Sequence, residues 1–334
     1  MRFLNSLGFL TIIKIPQRFY LKHEDYPKTL VYFPVAGLII GILNAIVFTA
    51  LNFFMPLFLS ILIIAGFEIV LTGGIHIDGA ADVFDGAFSG EKDKSRIMEI
   101  MKKGDIGVFG GLAILFSVAF KTSLLYFIAK AVNLTNFLAL DLKSSPPVLN
   151  LDFHLAGFFI FILAVIFVPV FGRLSMLYLF SRHKPALAKT SLSSVFMDKS
   201  NTEVFWLSAV YIFILFTGFY VFTQLGFFNQ AVQAAGAILI GQTTRDAAAV
   251  SGSDFNQLSS LLLYSRLNIS LEILAAVFAL KSLMAIVFTF LFSAGIGRFF
   301  TGKIGGLSGD IIGAVCVFTE IFFLLLYYIF LRLI

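Results

Sequence analysis

Three aspartates stand close together in a chain that is otherwise poor in charge: Asp78, Asp82 and Asp85. Their spacing is four and then three. At about 100° per residue, an α-helix would gather all three within an arc of roughly 60°. Like charges placed so close repel, so a helix does not carry them for stability. A divalent cation reverses the sign of that interaction. Mg²⁺ takes hard oxygen ligands and commonly uses one or two carboxylates together with substrate phosphates. The neighbours Gly73, Gly74, Gly79, Ala80, Ala81, Gly86 and Ala87 are small, which lets a large ligand or another helix come close to the backbone. Three uses are open to the triplet. It can hold Mg²⁺ against phosphate oxygens during a displacement, bind a cation in transit, or solvate a loop. No Lys or Arg is interspersed, and the flanking residues are small instead of solvating. Both facts favour metal–phosphate chemistry.

Other residues fit around that chemistry. Gly73, Gly74 and His76 lie in the turn before the acids, where they are placed to meet substrate. On a helix reaching back that far, His76 points away from the carboxylate face. Gly297 to Ile304 nearly spells a nucleotide-binding P-loop, but Ile304 stands where a magnesium-binding Ser or Thr is needed, and a membrane span precedes it instead of a strand. The turn that follows, Gly305-Gly306-Leu307-Ser308-Gly309-Asp310, opens an apolar run. Backbone N–H groups of a glycine-rich turn at a helix start favour anions. Gly305, Gly306, Ser308 and Gly309 are thus candidate phosphate contacts, and Asp310 either joins the metal shell or caps the helix. Arg96 and Lys102 are the nearest cations after the triplet. Arg173 sits within snorkelling reach of a membrane face and is a further phosphate candidate. Lys281 lies deeper, with no evident partner.

The elements that must position these groups are membrane spans. Hydrophobic residues make up 59% of the 334 and charged ones 13%, against about 45–50% and 25% in soluble domains. Apolar runs of some 20 residues recur along the whole length, which predicts an all-α polytopic membrane protein. A β-barrel would instead show alternating ten-residue segments. Seven spans are expected: 30–54, 57–71, 107–130, 155–180, 204–227, 271–296 and 311–331. Residues 1–29 form a polar lead-in lying partly along the surface. Lys14, Pro16 and Arg18 interrupt its apolar patch and no small-residue cleavage site follows, so no signal peptide is expected. The acidic motif reads as a loop, and 91–105 as a short amphipathic interfacial helix. Residues 297–310 read as a glycine-rich loop. Residues 228–270 are an extra segment, in which 231–245 make either a re-entrant pair or a span. The lone Cys316 excludes an intramolecular disulfide.

Sixteen Lys and Arg fall in 1–29, 74–106, 181–203 and 298–310, four in the opposite loops and tail, and four within spans, which sums to the 24 present. The positive-inside rule then puts the motif and the 298–310 turn in the cytoplasm. The net charge of +5 reflects these boundaries and gives no reason to expect nucleic acid. One membrane-embedded domain, 1–334, accounts for the chain, and a homo-oligomer is compatible with it.

The residues resemble those of the cobalamin synthase family, the adenosylcobinamide-GDP ribazoletransferases. That family carries Thr-Gly-Gly-x-His-x-Asp-Gly-x-Ala-Asp-x-x-Asp-Gly, which residues 72–86 match throughout. Further matches are Phe33-Pro34 with Gly37, Ile100-Met101-Lys102, Gly107 with Gly110, Arg173, and 305–310. Residues 131–154 and 228–270 look longer than the family's, and Lys103-Gly104-Asp105 stands where an acidic residue should come first. The resemblance implies a Mg²⁺-dependent enzyme of the prokaryotic inner membrane, its site facing the cytoplasm. It implies that adenosylcobinamide-GDP and α-ribazole, or its 5′-phosphate, give adenosylcobalamin, or its 5′-phosphate, and GMP. Asp78 and Asp82 would then ligate the metal, with Asp85 completing the shell or accepting the hydroxyl proton. A CDP-alcohol phosphotransferase performs similar chemistry, but it needs an Arg where Asp82 stands. A cation-coupled transporter would want its acids at mid-membrane.

Overall fold

A computed structural model describes residues 1–132, 134, 151–183, 196, 202–243 and 271–333. Among these residues ten α-helices carry the fold: α1 (Arg2–Leu10), α2 (Phe33–Asn52), α3 (Leu57–Leu71), α4 (Ile75–Phe88), α5 (Lys94–Met101), α6 (Val108–Ala131), α7 (Leu151–Arg182), α8 (Thr202–Thr243), α9 (Leu271–Ile304) and α10 (Gly309–Arg332). The described residues contain no strand. Six helical segments are long and apolar enough to cross a membrane by themselves, ending in α2, α6, α7, α8, α9 and α10. The 15-residue α3 is joined to α4 through an 87° bend, and only the bent pair taken as one span would make a seventh crossing. The protein is thus an all-α, multi-pass membrane protein, as its composition predicts.

α7 is the centre of the bundle, with 78% of its apolar window buried. It packs along α2, α8 and α10. Close approach between α2 and α7 depends on Gly37 and Gly41, one turn apart, where an added Cβ would strike the backbone at Pro169 and Ile166 respectively. This is the small-residue spacing by which helices associate in lipid, where apolar contact alone gives little net drive. Aromatic rings fill the remaining space: Phe171 and Phe323 stack at 4.3 Å, with Phe216 edge-on to both.

Inside this apolar bundle sit four charges. Lys121 Nζ of α6 lies 2.9 Å from Glu68 Oε2 of α3 and 2.7 Å from Glu320 Oε2 of α10. Arg173 Nη1 of α7 pairs with Glu320 Oε1 and reaches Glu68 Oε1 at 3.7 Å. Asn44 of α2 donates to Glu68 Oε2 at 2.8 Å. Two acids and two bases alternate, so the quartet is neutral as a whole. At 1% exposure, Arg173 does not reach the membrane face where the sequence suggests a phosphate contact. Lys281 also finds partners: its ammonium faces the carbonyls of Phe330 and Leu333, at the C-terminal end of α10, where a cation complements the helix dipole.

Several sequence expectations change. Residues 297–304 are helical, the last turns of α9, because Phe300 and Ile304 are buried on the same stripe as the rest of that helix. The loop shrinks to 305–308, and the near-P-loop has no loop geometry. The acidic motif is a turn plus α4 instead of an extended loop. The lead-in is α1, a short 3₁₀ turn at Gln17–Phe19 and a 3₁₀ segment, His23–Tyr32, and α1 buries Asn5, Ser6 and Leu10. Residues 231–243 continue α8, whose 42 residues exceed any bilayer, so they begin no re-entrant turn. Residues 244–270, and the loop at 131–154 apart from 131, 132, 134 and 151–154, fall outside the described residues.

The quartet yields a prediction. Lys121→Met leaves two buried glutamates facing one arginine and should destabilise the purified protein by about 3–5 kcal/mol. Adding Glu320→Gln removes the surplus charge and should recover part of that loss, read as a thermal midpoint in detergent higher for the double variant than for the single.

Candidate active site

The turn before the acids is built from glycine for a stated reason. Gly73 and Gly74 have φ of +65° and +70°, a left-handed region that other residues enter at a cost of roughly 1–2 kcal/mol. In that conformation they close α3: Gly74 N–H donates to Ile69 O at 2.8 Å and Gly73 N–H to Val70 O at 3.0 Å. α4 then starts at Ile75 in a new direction. The pair therefore makes the corner that turns α4 by 87° from α3 and seats it against α6 and α10, from His76 beside the charge quartet to Asp85 at the start of α6.

Small residues seat α4. A Cβ on Gly79 would stand 2.8 Å from Asp310 O, and one on Gly313 3.1 Å from His76 Cα, so α4 and α10 touch backbone to backbone. Two turns further along α4, Gly86 makes room for Met101 of α5. Phe84 packs between Phe300 and Phe318.

The carboxylates part company in this setting. Asp78 is exposed, Asp82 half-buried, and Asp310, from the first turn of α10, half-buried beside them. The Asp82 carboxyl is pushed up to about 6 by burial and then by the charges of Asp78, Asp310 and Asp85. Asp85 has a separate engagement. Its Oδ2 accepts from Gly107 N–H at 2.7 Å and its Oδ1 from Gly110 N–H at 2.9 Å. It caps the start of α6, where orphan N–H groups and the helix dipole favour an anion. Either role expected for Asp85 at the metal would compete with those two bonds. Among the described residues no group of three or more acidic, His or Cys side chains is close enough to hold a metal by itself. Asp78, Asp82 and Asp310 still face one another's charge. That suits a cation which draws the rest of its shell from phosphate oxygens.

The remaining candidates separate into groups. Ser308 caps α10, its Oγ accepting from Ile311 N–H at 3.2 Å, so Asp310 is free of that duty. Gly305 and Gly306 both donate their N–H groups to Thr301 O at 2.9 Å, closing α9; Gly309 is the exposed first residue of α10. Lys102 is exposed at the end of α5, with its charge felt at Asp310. Arg96 is exposed and 3.8 Å from Glu91. His76 is 5% exposed and turned inward, away from the acids. It lines a cavity of ≈ 50 Å³ together with Thr72, Ser117 and the charge quartet, and neither ring nitrogen has a protein partner. Arg173 belongs to this interior group.

Sequence reasoning passed over Glu320 and gave Lys121 no role. The available signal was that each is an ionisable residue inside an apolar span, and the two have opposite sign.

Comparison with known proteins follows the same lines. A family model described as cobalamin-5-phosphate synthase matches residues 2–252 and 237–328. The adenosylcobinamide-GDP ribazoletransferase of Acetivibrio thermocellus is 30% identical over 330 residues, covering 98% of both chains. Proteins of the same name from Thermoanaerobacter sp. and Clostridium tetani are 30% and 29% identical, over 63% and 64% of this chain and 72% and 73% of theirs. No solved structure matches. The chain belongs to the cobalamin-5-phosphate synthase family, and is a transferase of cobalamin synthesis.

Proposed function

We propose that the protein joins adenosylcobinamide-GDP to α-ribazole or its 5′-phosphate, releasing GMP, and that it does so with Mg²⁺ at the cytoplasmic face of a prokaryotic inner membrane. The observation that carries the reading is the carboxylate face of α4 and α10, set at the bundle end where the sequence concentrates its Lys and Arg. Asp78 and Asp82, four apart on α4, would hold the ion, with Asp310 completing the protein's share. Bound there, the metal would supply positive charge to the diphosphate oxygens.

The chain's own residues do the rest. The 3′-hydroxyl oxygen of the acceptor forms a bond to the phosphorus bearing the cobinamide, and the bond from that phosphorus to the GMP oxygen breaks. The hydroxyl proton passes to a carboxylate of this face, and GMP takes the electron pair of the broken bond. Lys102, beside Asp310, offsets charge on the leaving side. Asp85 fixes α4 to α6 and so holds Asp82 in register, and the Gly73–Gly74 corner sets the direction in which the acids point. The corrinoid is a large, partly apolar ring system, which an opening between spans at this interface would admit. Gly74 is open at its Cα, which leaves room for a large ring system against the turn.

Two outcomes test this. Asp82→Asn should lose Mn²⁺ binding, measured by paramagnetic resonance of the purified protein, together with at least about 10³-fold of GMP release. Asp85→Asn should retain Mn²⁺ binding while lowering the thermal midpoint, since it weakens a cap worth about 1 kcal/mol. Unchanged GMP release in Asp82→Asn would remove the metal from this face. The second outcome concerns pH. A carboxyl that ionises near 6 is charged above that value and protonated below it, so protons displace metal on the acid side. Mn²⁺ affinity should be level above pH 7 and fall about tenfold per unit below 6. Asp78→Asn, which removes a proposed ligand together with the like charge that acts most on Asp82, should lower Mn²⁺ affinity at every pH and move the break in what remains to lower pH.

A further inference from the structure

Beside the carboxylate face lies a second cleft of opposite character. It measures ≈ 350 Å³ and is lined by Lys94 of α5, His183 just past α7, Arg298 and Thr301 of α9, and Gly305 and Gly306 of the turn. No carboxylate lines it. Lys94 and Arg298 are exposed and have no ion-pair partner among the described residues, whereas Arg96 and Lys28 each have one. His183 Nδ1 is 3.5 Å from Thr301 Oγ1. Partial burial, with the nearby Arg298 charge, holds the imidazole below its usual range, so it stands neutral and able to donate one hydrogen bond. The turn is shaped for this cleft. Gly305 has φ of +101°, and a Cβ there would come 2.9 Å from Lys94 Cδ, so the glycine lets the lysine lie against the backbone. Both cations, and one donor from the hydrogen-bonded pair of Thr301 and His183, therefore open on one space.

We infer that this cleft binds a phosphate monoester, and that on the transfer reading above, on which this assignment rests, the monoester is the 5′-phosphate of the acceptor. Geometry connects the two sites. Gly306 and Asp310 are four residues apart, so the Gly306 edge of the cleft lies at most about 14 Å from the Asp310 backbone. Electrostatics separates them: a dianion is repelled by Asp78, Asp82 and Asp310, while a cleft with Arg298 and Lys94 and no acid attracts it. A volume near 350 Å³ falls in the range of small-ligand sites, about 300–1,000 Å³. The acceptor then lies with its phosphate over α9 and its 3′-hydroxyl toward α4. A lipid headgroup offers the same phosphate chemistry at this boundary, and the experiment separates the two sources.

Purified wild type, Arg298→Gln and Lys94→Gln are placed in phosphatidylcholine nanodiscs and assayed for GMP release with adenosylcobinamide-GDP and either α-ribazole or α-ribazole 5′-phosphate. The quantity read is the ratio of kcat/KM for the phosphorylated acceptor to that for the free one. Each variant should lower that ratio at least tenfold, chiefly through KM of the phosphorylated acceptor. Equal losses on both acceptors, or an unchanged ratio, would overturn the assignment. So would an effect that emerges only after phosphatidylglycerol is added and is the same for both acceptors, which would give the cleft to lipid. Binding of radiolabelled α-ribazole 5′-phosphate in EDTA is measured alongside. If wild type transfers to neither acceptor, the function proposed above fails. The cleft is then judged by whether wild type binds the phosphorylated compound and Arg298→Gln binds it at least tenfold more weakly.

Discussion

A charge placed in hydrocarbon must be answered by an opposite charge, and that demand organises the interior of this protein. Glu68, Lys121, Arg173 and Glu320 come from four different helices, α3, α6, α7 and α10. None of the four can rotate or slide by a turn without stranding a partner where water cannot reach it. Such pairs add little net stability compared with apolar side chains of the same size, but losing one member is costly. Their effect is therefore on register. The quartet lies about 15 Å below the start of α10, counting ten residues from Asp310 to Glu320, so it fixes the depth at which the acidic helix is held above it.

Above the quartet, glycine does the positioning that charge does below. Gly79 and Gly313 bring α4 and α10 into backbone contact, and Gly107 and Gly110 admit the Asp85 carboxylate to the start of α6. The corner at Gly73–Gly74 turns the chain so that α4 runs at 87° to α3. Three otherwise apolar spans thereby converge on one polar helix, and the acids of that helix face those of α10. The division of labour among the aspartates follows from position along α4. Asp85 meets helix N–H groups, whereas Asp78 and Asp82 meet only other carboxylates.

Much of this was legible in the sequence and some was not. Apolar run length gave six of the crossings, because a bilayer sets a minimum length for a straight span, and the seventh expected run is the bent α3–α4 pair. The small residues around the acids signalled close helix contact, which the Gly79–Asp310 approach bears out. The motif also matched a family signature that the comparisons support. What escaped was tertiary pairing. Asp85 looked equivalent to Asp78 and Asp82 because spacing on one helix says nothing about the helix that will lean against it. Arg173 looked like a phosphate ligand because its partners, Glu68 and Glu320, are 105 and 147 residues away. Residues 297–304 looked like a loop because glycine and charge were counted without the buried Phe300 and Ile304 that keep them helical. Gly305 and Gly306 looked like anion donors, yet their N–H groups close α9.

The bond between Asp85 and the start of α6 has a consequence for how this chain can vary. The carboxylate fits because residues 107 and 110 lack a Cβ, and the two amides are satisfied because residue 85 is short and acidic. A longer acid at 85 would overrun the space, and a side chain at 107 or 110 would occupy it. A change at any one of the three alters the fit at the other two, so the three positions should vary together across lineages although 22 and 25 residues part them.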